Sequence, residues 1–232
     1  MIDFHSHILP GVDDGSKSTS MSLDMLASLR KQGADTVAAT SHFYATQRSV
    51  RRFLERREQA WSRLRERLPE DAPRILLGAE VLYFPGIAHM EELEELCLEG
   101  TDLLLLEMPF TAWSEYMVRE VDELARSGRV TLMLAHIERY FYEQPRSVWD
   151  GFLENGVYMQ SNAEFFNSLR TRRRALQLLE SGYIHALGTD CHNMGSRAPR
   201  LAEARRRIEK RLGPEILEDL DSLAELLLRK DG

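Results

Sequence analysis

The sequence predicts an α/β fold: a distorted barrel of seven parallel strands wrapped by helices. Three observations predict it. Short apolar runs alternate with longer amphipathic stretches along the whole chain, the pattern of repeated strand–helix units. Gly33, Gly100, Gly128, Gly156 and Gly182 each follow a helical stretch and precede the next strand, as helix-ending glycines do. No low-complexity segment or linker interrupts the series, so residues 1–232 read as a single domain, a length usual for one α/β barrel.

Taken in order, the strands are expected at 1–5, 36–41, 74–82, 102–108, 130–135, 157–162 and 183–189. In the first, Ile2 and Phe4 alternate with Asp3 and His5; the fourth contains the leucine run 103–106. Helical patterns fill 19–32, 47–67, 114–127, 146–155, 168–181 and 199–211. A further helix is expected at 214–230, with Pro214 near its start, and a short one at 89–98, "HMEELEELCL".

Composition narrows the function classes. Hydrophobic residues make up 43% and charged residues 29%, as in ordinary globular chains. No apolar run approaches the ~18 residues of a membrane span, and nothing resembles a signal peptide. With only Cys97 and Cys191, no disulfide framework is implied, and a cytoplasmic location is expected. A net charge of −7 argues against binding long nucleic acids. Arginines cluster at Arg48, Arg51, Arg52, Arg56 and Arg57, at 172–174 and at 205–207. Most read as solvated helix faces; the remainder suits a basic rim that attracts an anionic substrate.

Where the polar residues fall is the informative signal. "DFHSHILPGVDDG" places His5 and His7 on one face at the end of the first strand, with Asp14 in the loop beyond. "TVAATSH" ends in His42, "RILLGAEV" carries Glu80, and "DLLLLEMPF" ends near Glu107. "VTLMLAHIER" ends in His136, followed by Glu138 and Arg139; "VYMQSN" ends near Asn162; "YIHALGTDCH" ends in Asp190 and His192. A parallel barrel gathers the carboxyl ends of its strands on one face, so these residues are expected to converge. Imidazoles mixed with carboxylates suit zinc, manganese or iron. Eight or nine such groups exceed the needs of one ion and fit two ions bridged by a carboxylate, with room for a third. His89 and His185 lie away from strand carboxyl ends and read as structural, and Asp13 as a turn residue in "VDDG".

"DFHSHILPGVDDG", "TSHF", "GAEV", "LLLEMPF", "AHIERY" and "GTDCHN" resemble the motifs of the polymerase-and-histidinol-phosphatase superfamily. They resemble most closely its bacterial metal-dependent protein tyrosine phosphatases of capsule and exopolysaccharide gene clusters. The resemblance runs from residue 1 to about 212. It implies a distorted seven-stranded barrel and a cluster of two to three divalent ions, manganese first, with iron or zinc as alternatives. It also implies a substrate: the phosphotyrosine tail of a membrane-associated tyrosine kinase. The implied metal ligands are His5, His7, Asp14, His42, Glu80, Glu107, His136, Asp190 and His192. Arg139 matches a phosphate-contacting arginine, and Arg197 or Arg200 a second. Two departures, Ile137 in place of a proline and "TSHF" in place of "TPHH", remove no ligand.

Phosphomonoester hydrolysis needs a nucleophile and neutralised phosphoryl charge, which two ions and an arginine fork supply. Asp190 or His192 is a candidate to assist with the leaving-group proton. Tyr140, Phe43, Phe84 and Trp113 are candidates to pack on an aromatic leaving group, ordinary packing being the simpler role for each. Cys191 to Arg197, "CHNMGSR", satisfies Cys-x5-Arg, the minimal pattern of cysteine-dependent phosphatases. The preceding Asp190 would raise the thiol pKa rather than lower it. Rival readings are a small-molecule phosphatase of the histidinol-phosphate type, a phosphoesterase acting on nucleotides, and a metal-stabilised barrel that binds without turnover.

Overall fold

A computed structural model describes residues 1–229. The strands are β1 (Ile2–Ser6), β2 (Thr36–Ala39), β3 (His42–Phe43), β4 (Arg74–Leu77), β5 (Glu80–Leu82), β6 (Leu103–Glu107), β7 (Thr131–Leu134), β8 (Tyr158–Asn162) and β9 (Ala186–Gly188). All ladders are parallel. They form a three-stranded sheet, β1-β2-β4, and a six-stranded sheet, β3-β5-β6-β7-β8-β9. The expected second and third strands are each broken in two, at Thr40–Ser41 and Gly78–Ala79. Backbone bonds bridge both breaks: Gly78 N–H to Ala39 O (3.0 Å) and Glu80 N–H to Ser41 O (3.1 Å). The curled sheet meets itself where Asp190 N–H bonds His5 O (2.7 Å) and His7 N–H bonds Cys191 O (3.0 Å). The seven-strand expectation thus corresponds to seven staves, two of them kinked.

The helices are α1 (Thr19–Lys31), α2 (Val50–Arg65), α3 (Glu115–Arg126), α4 (Arg146–Glu154), α5 (Ala163–Asn167), α6 (Arg172–Glu180), α7 (Leu201–Leu212) and α8 (Glu215–Leu227). Ser18, Ser49 and Ser114 cap α1, α2 and α3 by accepting backbone N–H groups, each cap stabilising by about 1 kcal/mol. Gly33 ends the first helical stretch at φ 91°, a conformation that costs glycine little. The helix expected at 89–98 is instead two 3₁₀ turns, Ile87–His89 and Leu93–Leu96. An α-helix there would stack Glu91 on Glu94 and Glu95, like charges on one face. The stretch expected at 168–181 becomes helical only at Arg172, and α5 precedes it. Residue 230, the expected end of the last helix, lies outside the described residues. No described helix is long and apolar enough to cross a membrane.

Leucines of β6 sort by the pleat. Leu104 and Leu106 face the helices, in one cluster with Val121 and Leu124 of α3. Leu103 and Leu105 face inward, with Phe4, Met133 and Ala186. Ala224 and Leu227 of α8 join this inner cluster and close the barrel's amino-terminal end. Glu107, next inward on β6, stands above that apolar floor. The register of β1 on β2 shifts between Asp3 and Ser6, where three steps on β1 match two on β2. Such a bulge inserts one residue and re-aims its neighbours. Phe4 therefore joins the apolar interior while His5 reaches the polar layer above it.

His185 is structural, as its position implied. Its Nδ1 accepts Met159 N–H at 3.0 Å, and burial pushes its pKa down to about 4. Folding thus favours the neutral ring. The unfolded chain takes up a proton below its ordinary value of 6.5, whereas the folded protein does so only near 4. This contribution is fully present above about pH 6.5 and lost as pH falls toward 4, by about 1–3 kcal/mol. We predict that His185→Gln flattens the acid limb of stability against pH in urea titrations; an unchanged slope would contradict the account.

Candidate metal centre

The nine side chains named from strand ends converge on the carboxyl face. Four groups place their ligand atoms within 4.8 Å of one another: His7–Asp14–His42–His192, His5–His7–Asp190, His5–Glu80–His136 and His42–Glu80–Glu107. Every predicted metal-ligand candidate is in at least one group, and His5, His7, His42 and Glu80 are each in two. Glu80 lies at the centre. Its Oε1 is 2.7 Å from His136 Nε2, and its Oε2 is 3.2 Å from His5 Nε2, 3.3 Å from His7 Nε2 and 2.9 Å from His42 Nδ1. Asp14 reaches in from an exposed loop, 3.4 Å from His192 Nε2 and 3.5 Å from His42 Nε2.

Tautomers follow from the partners behind the rings. Gln160 Oε1 accepts His136 N–H (2.8 Å), which identifies it as oxygen, and it lies 3.1 Å from His5 Nδ1. His5 Nδ1 therefore carries the hydrogen and Nε2 the lone pair. His7 Nδ1 donates to Asp13 Oδ2 (2.8 Å), and His192 Nδ1 to Asp190 O (2.9 Å). The Nε2 lone pairs of His5 and His7 then face each other at 3.1 Å, with carboxylates around them. His42 Nδ1, Glu80 Oε2 and His192 Nε2 are buried and make no aligned hydrogen bond. Buried acceptors aimed at one another are costly unless a cation lies between them, so this donor set fits divalent ions.

Charge tells the same story. Burial opposes charge on His7, but Asp13, Asp190 and Glu80 outweigh it and raise its pKa well above the ordinary value. Burial likewise opposes charge on His136, yet Glu107 and Glu80 lift it to about 9. Against desolvation, the surrounding imidazoles hold Glu80 and Asp190 well below the carboxylate range. These are the electrostatics of a site built for positive charge.

Four backbone positions make the convergence possible. A Cβ on Gly188 would lie 2.5 Å from His5 Cβ, and one on Gly15 would lie 2.4 Å from His7 Cβ; only glycine admits the two rings. His136 (φ 32°) and Asp190 (φ 50°) occupy the left-handed region, at a cost of about 1–2 kcal/mol each.

Asp13 does more than turn the chain. Its Oδ1 accepts Gly15 N–H (2.9 Å), the expected turn bond, while Oδ2 also accepts His42 N–H (2.9 Å). Gln160 is a site residue that motif reading missed; its signal was a glutamine at a fully buried strand position. Arg139 and Arg197 both reach Asp190, at Oδ2 (2.5 Å) and Oδ1 (2.6 Å). Arg200 instead faces Glu164 at 3.9 Å. Glu138 bonds Ser161 Oγ (3.0 Å) and Asn162 N–H (3.2 Å), so Arg139 is not its structural partner. Neither candidate for the leaving-group proton has one to give: Asp190 only accepts, and His192 commits its N–H to a backbone carbonyl. The proposed stacking aromatics are packing residues. Tyr140 and Phe43 are fully buried, Trp113 packs on Tyr140 and Trp149, and Phe84 packs against the core. The cleft of about 510 Å³ above the cluster is lined instead by Tyr44 and Phe110. Cys191 is fully buried, and burial pushes its thiol far up, the reverse of a reactive thiolate.

A family model described as capsular polysaccharide synthesis, CpsB/CapC, matches residues 1–224. The tyrosine-protein phosphatase YwqE of Bacillus subtilis (strain 168) is 31% identical over 242 aligned residues, covering 99% of this chain and 92% of that protein. The tyrosine-protein phosphatase CpsB of Streptococcus pneumoniae is 30% identical over 236, covering 95% and 94%. By structure, the chain matches a crystal structure from work on those two proteins, described as metal-dependent tyrosine phosphatases. The TM-score is 0.85 at 28% identity, over 100% of this chain and 96% of the other.

Two outcomes are expected of this centre. Glu80→Ala and His7→Ala should each lower bound metal in elemental analysis; unchanged content in both would refute the assignment. Gln160→Leu removes no ligand but frees the His5 ring, and should weaken metal binding about 10–100-fold in a chelator competition.

Proposed function

The chain belongs to the CpsB/CapC family of capsular polysaccharide synthesis, and we propose that it is a metal-dependent protein tyrosine phosphatase that dephosphorylates the tail of a membrane-associated tyrosine kinase. On this reading the kinase controls capsule or exopolysaccharide synthesis, and the enzyme works on the cytoplasmic side with two or three ions, manganese first. The observation that carries the phosphatase reading is the pairing of the cluster with two guanidinium groups, Arg139 and Arg197, that meet one of its own carboxylates, Asp190, at the cleft.

His5, His7, Asp14, His42, Glu80, Glu107, His136, Asp190 and His192 would hold the ions. When bound, these supply Lewis acidity toward water and toward the phosphoryl oxygens. The chain's own groups do the rest. Arg139 and Arg197 now each meet a carboxylate through one terminal nitrogen, and their forks suit two oxygens of a phosphoryl group, whose charge they would stabilise as it redistributes. The Arg139 guanidinium lies 5.4 Å from the Phe110 ring centre, which steadies it at the mouth of the cleft. Phe110, half-exposed, and Tyr44, stacked on His42 at 5.2 Å, give the cleft apolar walls for an aryl group. Tyrosine leaves as a phenolate with a pKa near 10, so departure does not demand a strong acid on the protein. That matches a site in which neither Asp190 nor His192 has a proton to give.

The discriminating measurement is kcat/KM for a phosphotyrosine peptide, histidinol phosphate and a mononucleotide, each with added manganese. The peptide should be the best substrate; a clear preference for either small molecule would move the assignment to that class. Chelator should abolish activity and manganese restore it, while Cys191→Ser should stay within a few-fold of the parent. Arg139→Ala should keep fold and metal content and lose about 2–4 kcal/mol of transition-state stabilisation. Arg139→Lys should recover only part, since a point charge cannot reproduce the fork. Full activity in a folded, metallated Arg139→Ala would rule out the clamp.

A further inference from the structure

A second pocket, of about 410 Å³, lies against the metal cleft. Arg139, Asp190 and Arg197 line both and so form the wall between them. Its other sides include Arg200, Glu164, Phe165, Ser168, Thr171 and Ser196. None of these six has a role in the chemistry above. We propose that this pocket holds an anionic side chain of the substrate peptide, a carboxylate or a second phosphoryl group near the phosphotyrosine, with Arg200 as the residue that selects it. The proposal rests on the protein-phosphatase reading, since a small substrate would leave the pocket without a role.

Position is the first argument. A group bound by Arg139 and Arg197 from the cleft side has this pocket directly behind its clamp, within reach of a residue one to three places along an extended chain. Availability is the second. Arg200 is exposed, and its carboxylate partner, Glu164, is exposed too and 3.9 Å away; such a pair exchanges readily for a better anion. By contrast Arg205 is held by Asp221 in a two-point bridge of 2.8 and 2.5 Å. The Arg200 carbonyl accepts Asn167 Nδ2 (3.0 Å), so the backbone is anchored while the side chain is free to select.

The surrounding charge is the third. Ser168 and Thr171 lie on the segment that carries Arg170, Arg172, Arg173 and Arg174. Arg172 donates to the carbonyls of Phe166 (3.0 Å) and Asn167 (2.9 Å), and Arg174 sits 5.1 Å from the Tyr142 ring. Among the described residues, none of these four has a carboxylate within 4.0 Å. In a chain of net charge −7, these arginines lie on the segment beside a pocket whose own lining sets Arg139, Arg197 and Arg200 against Glu138, Glu164 and Asp190; Ser168 and Ser196 offer hydroxyls to a ligand, whereas Thr171 Oγ1 donates to Phe165 O (2.7 Å). A peptide with several phosphorylated or acidic residues meets attraction here. Glu138, on the floor, spends its acceptors on Ser161 and Asn162.

The test uses the manganese-loaded enzyme and phosphotyrosine peptides that differ at one flanking position. That position carries alanine, aspartate, a second phosphotyrosine or lysine, placed one, two or three residues to either side. At one or more positions, aspartate or phosphotyrosine should raise kcat/KM about tenfold over alanine. The aspartate and phosphotyrosine arms decide between a carboxylate and a phosphoryl group as the preferred anion. Arg200→Gln should bring that ratio near one, and Arg200→Glu should transfer the preference to the lysine peptide, an exchange that a merely structural role would not produce. No preference at any position, a preference that survives Arg200→Glu, or a parent enzyme that favours lysine would each overturn the proposal. Failure to hydrolyse even the alanine peptide would remove the phosphatase reading, and this inference with it.

Discussion

Buried lone pairs that point at one another set the terms for this molecule. Glu80, fully buried, is approached by four imidazoles, and in the neutral rings the nitrogens of His5 and His7 that face it carry no hydrogen, because their other partners hold it. Left to itself, such a cluster draws protons onto His7 and His136, and the desolvation of each buried charge adds to the cost. A protein gains nothing in stability from this arrangement that an apolar layer would not supply better. Divalent cations would complete it in place of those protons. Gln160, Asp13 and the Asp190 carbonyl stand behind the rings and keep each lone pair turned inward, so the cluster is organised for cations by the fold.

Much of the backbone irregularity is a consequence of that constraint. A regular β1 would alternate Phe4 and His5 between opposite faces; the bulge brings both to the interior, at different levels. The breaks at Thr40–Ser41 and Gly78–Ala79 fall immediately before His42 and Glu80, so each kink lets a short strand re-aim its ligand. The two left-handed residues that are not glycine, His136 and Asp190, are both in the cluster. Strain of this kind persists only where the surroundings fix it. Below this level, where no polar group must be aimed, the barrel is ordinary, with leucines sorted by the pleat.

This division explains what could be read from the chain. Polar residues at the ends of apolar runs were legible because a parallel barrel collects those ends, whatever the strand lengths. The same logic brought together His7 and His192, whose ring centres lie 3.9 Å apart although they are far apart in sequence. Kinks and bulges were not legible, since they arise from contacts between strands and leave the run of apolar residues intact. Asp13 read as a turn residue because its local bond to Gly15 is a turn bond; its contacts with His7 and His42 depend on how the loop folds back. Tyr140, Phe43, Phe84 and Trp113 pack in or against the core, whereas Tyr44 and Phe110, at or just past the ends of their own motifs, reach the cleft from loops, where periodicity carries no information.

Asp190 shows how one side chain joins the metal layer to the substrate layer. Its Oδ2 takes Arg139 and Asn162 Nδ2 (2.9 Å), and its Oδ1 takes Arg197, with His7 Nε2 at 3.3 Å and His5 Nε2 at 3.6 Å. A carboxylate offers about four lone-pair directions, so it has more suitors than it needs. If an incoming anion drew the two arginines away, Asn162 Nδ2 would still donate to Asp190, and cations held by the cluster would balance its charge. The arginines are partly exposed, so they can move; the carboxylate is buried and strained in place, so it cannot. A lysine in either arginine position would satisfy Asp190 as a point charge, but it would lack the fixed pair of N–H groups that lets one guanidinium hold two phosphoryl oxygens. The clamp is therefore made of the residue type that can leave a one-point contact with a carboxylate for a two-point grip on a phosphoryl group.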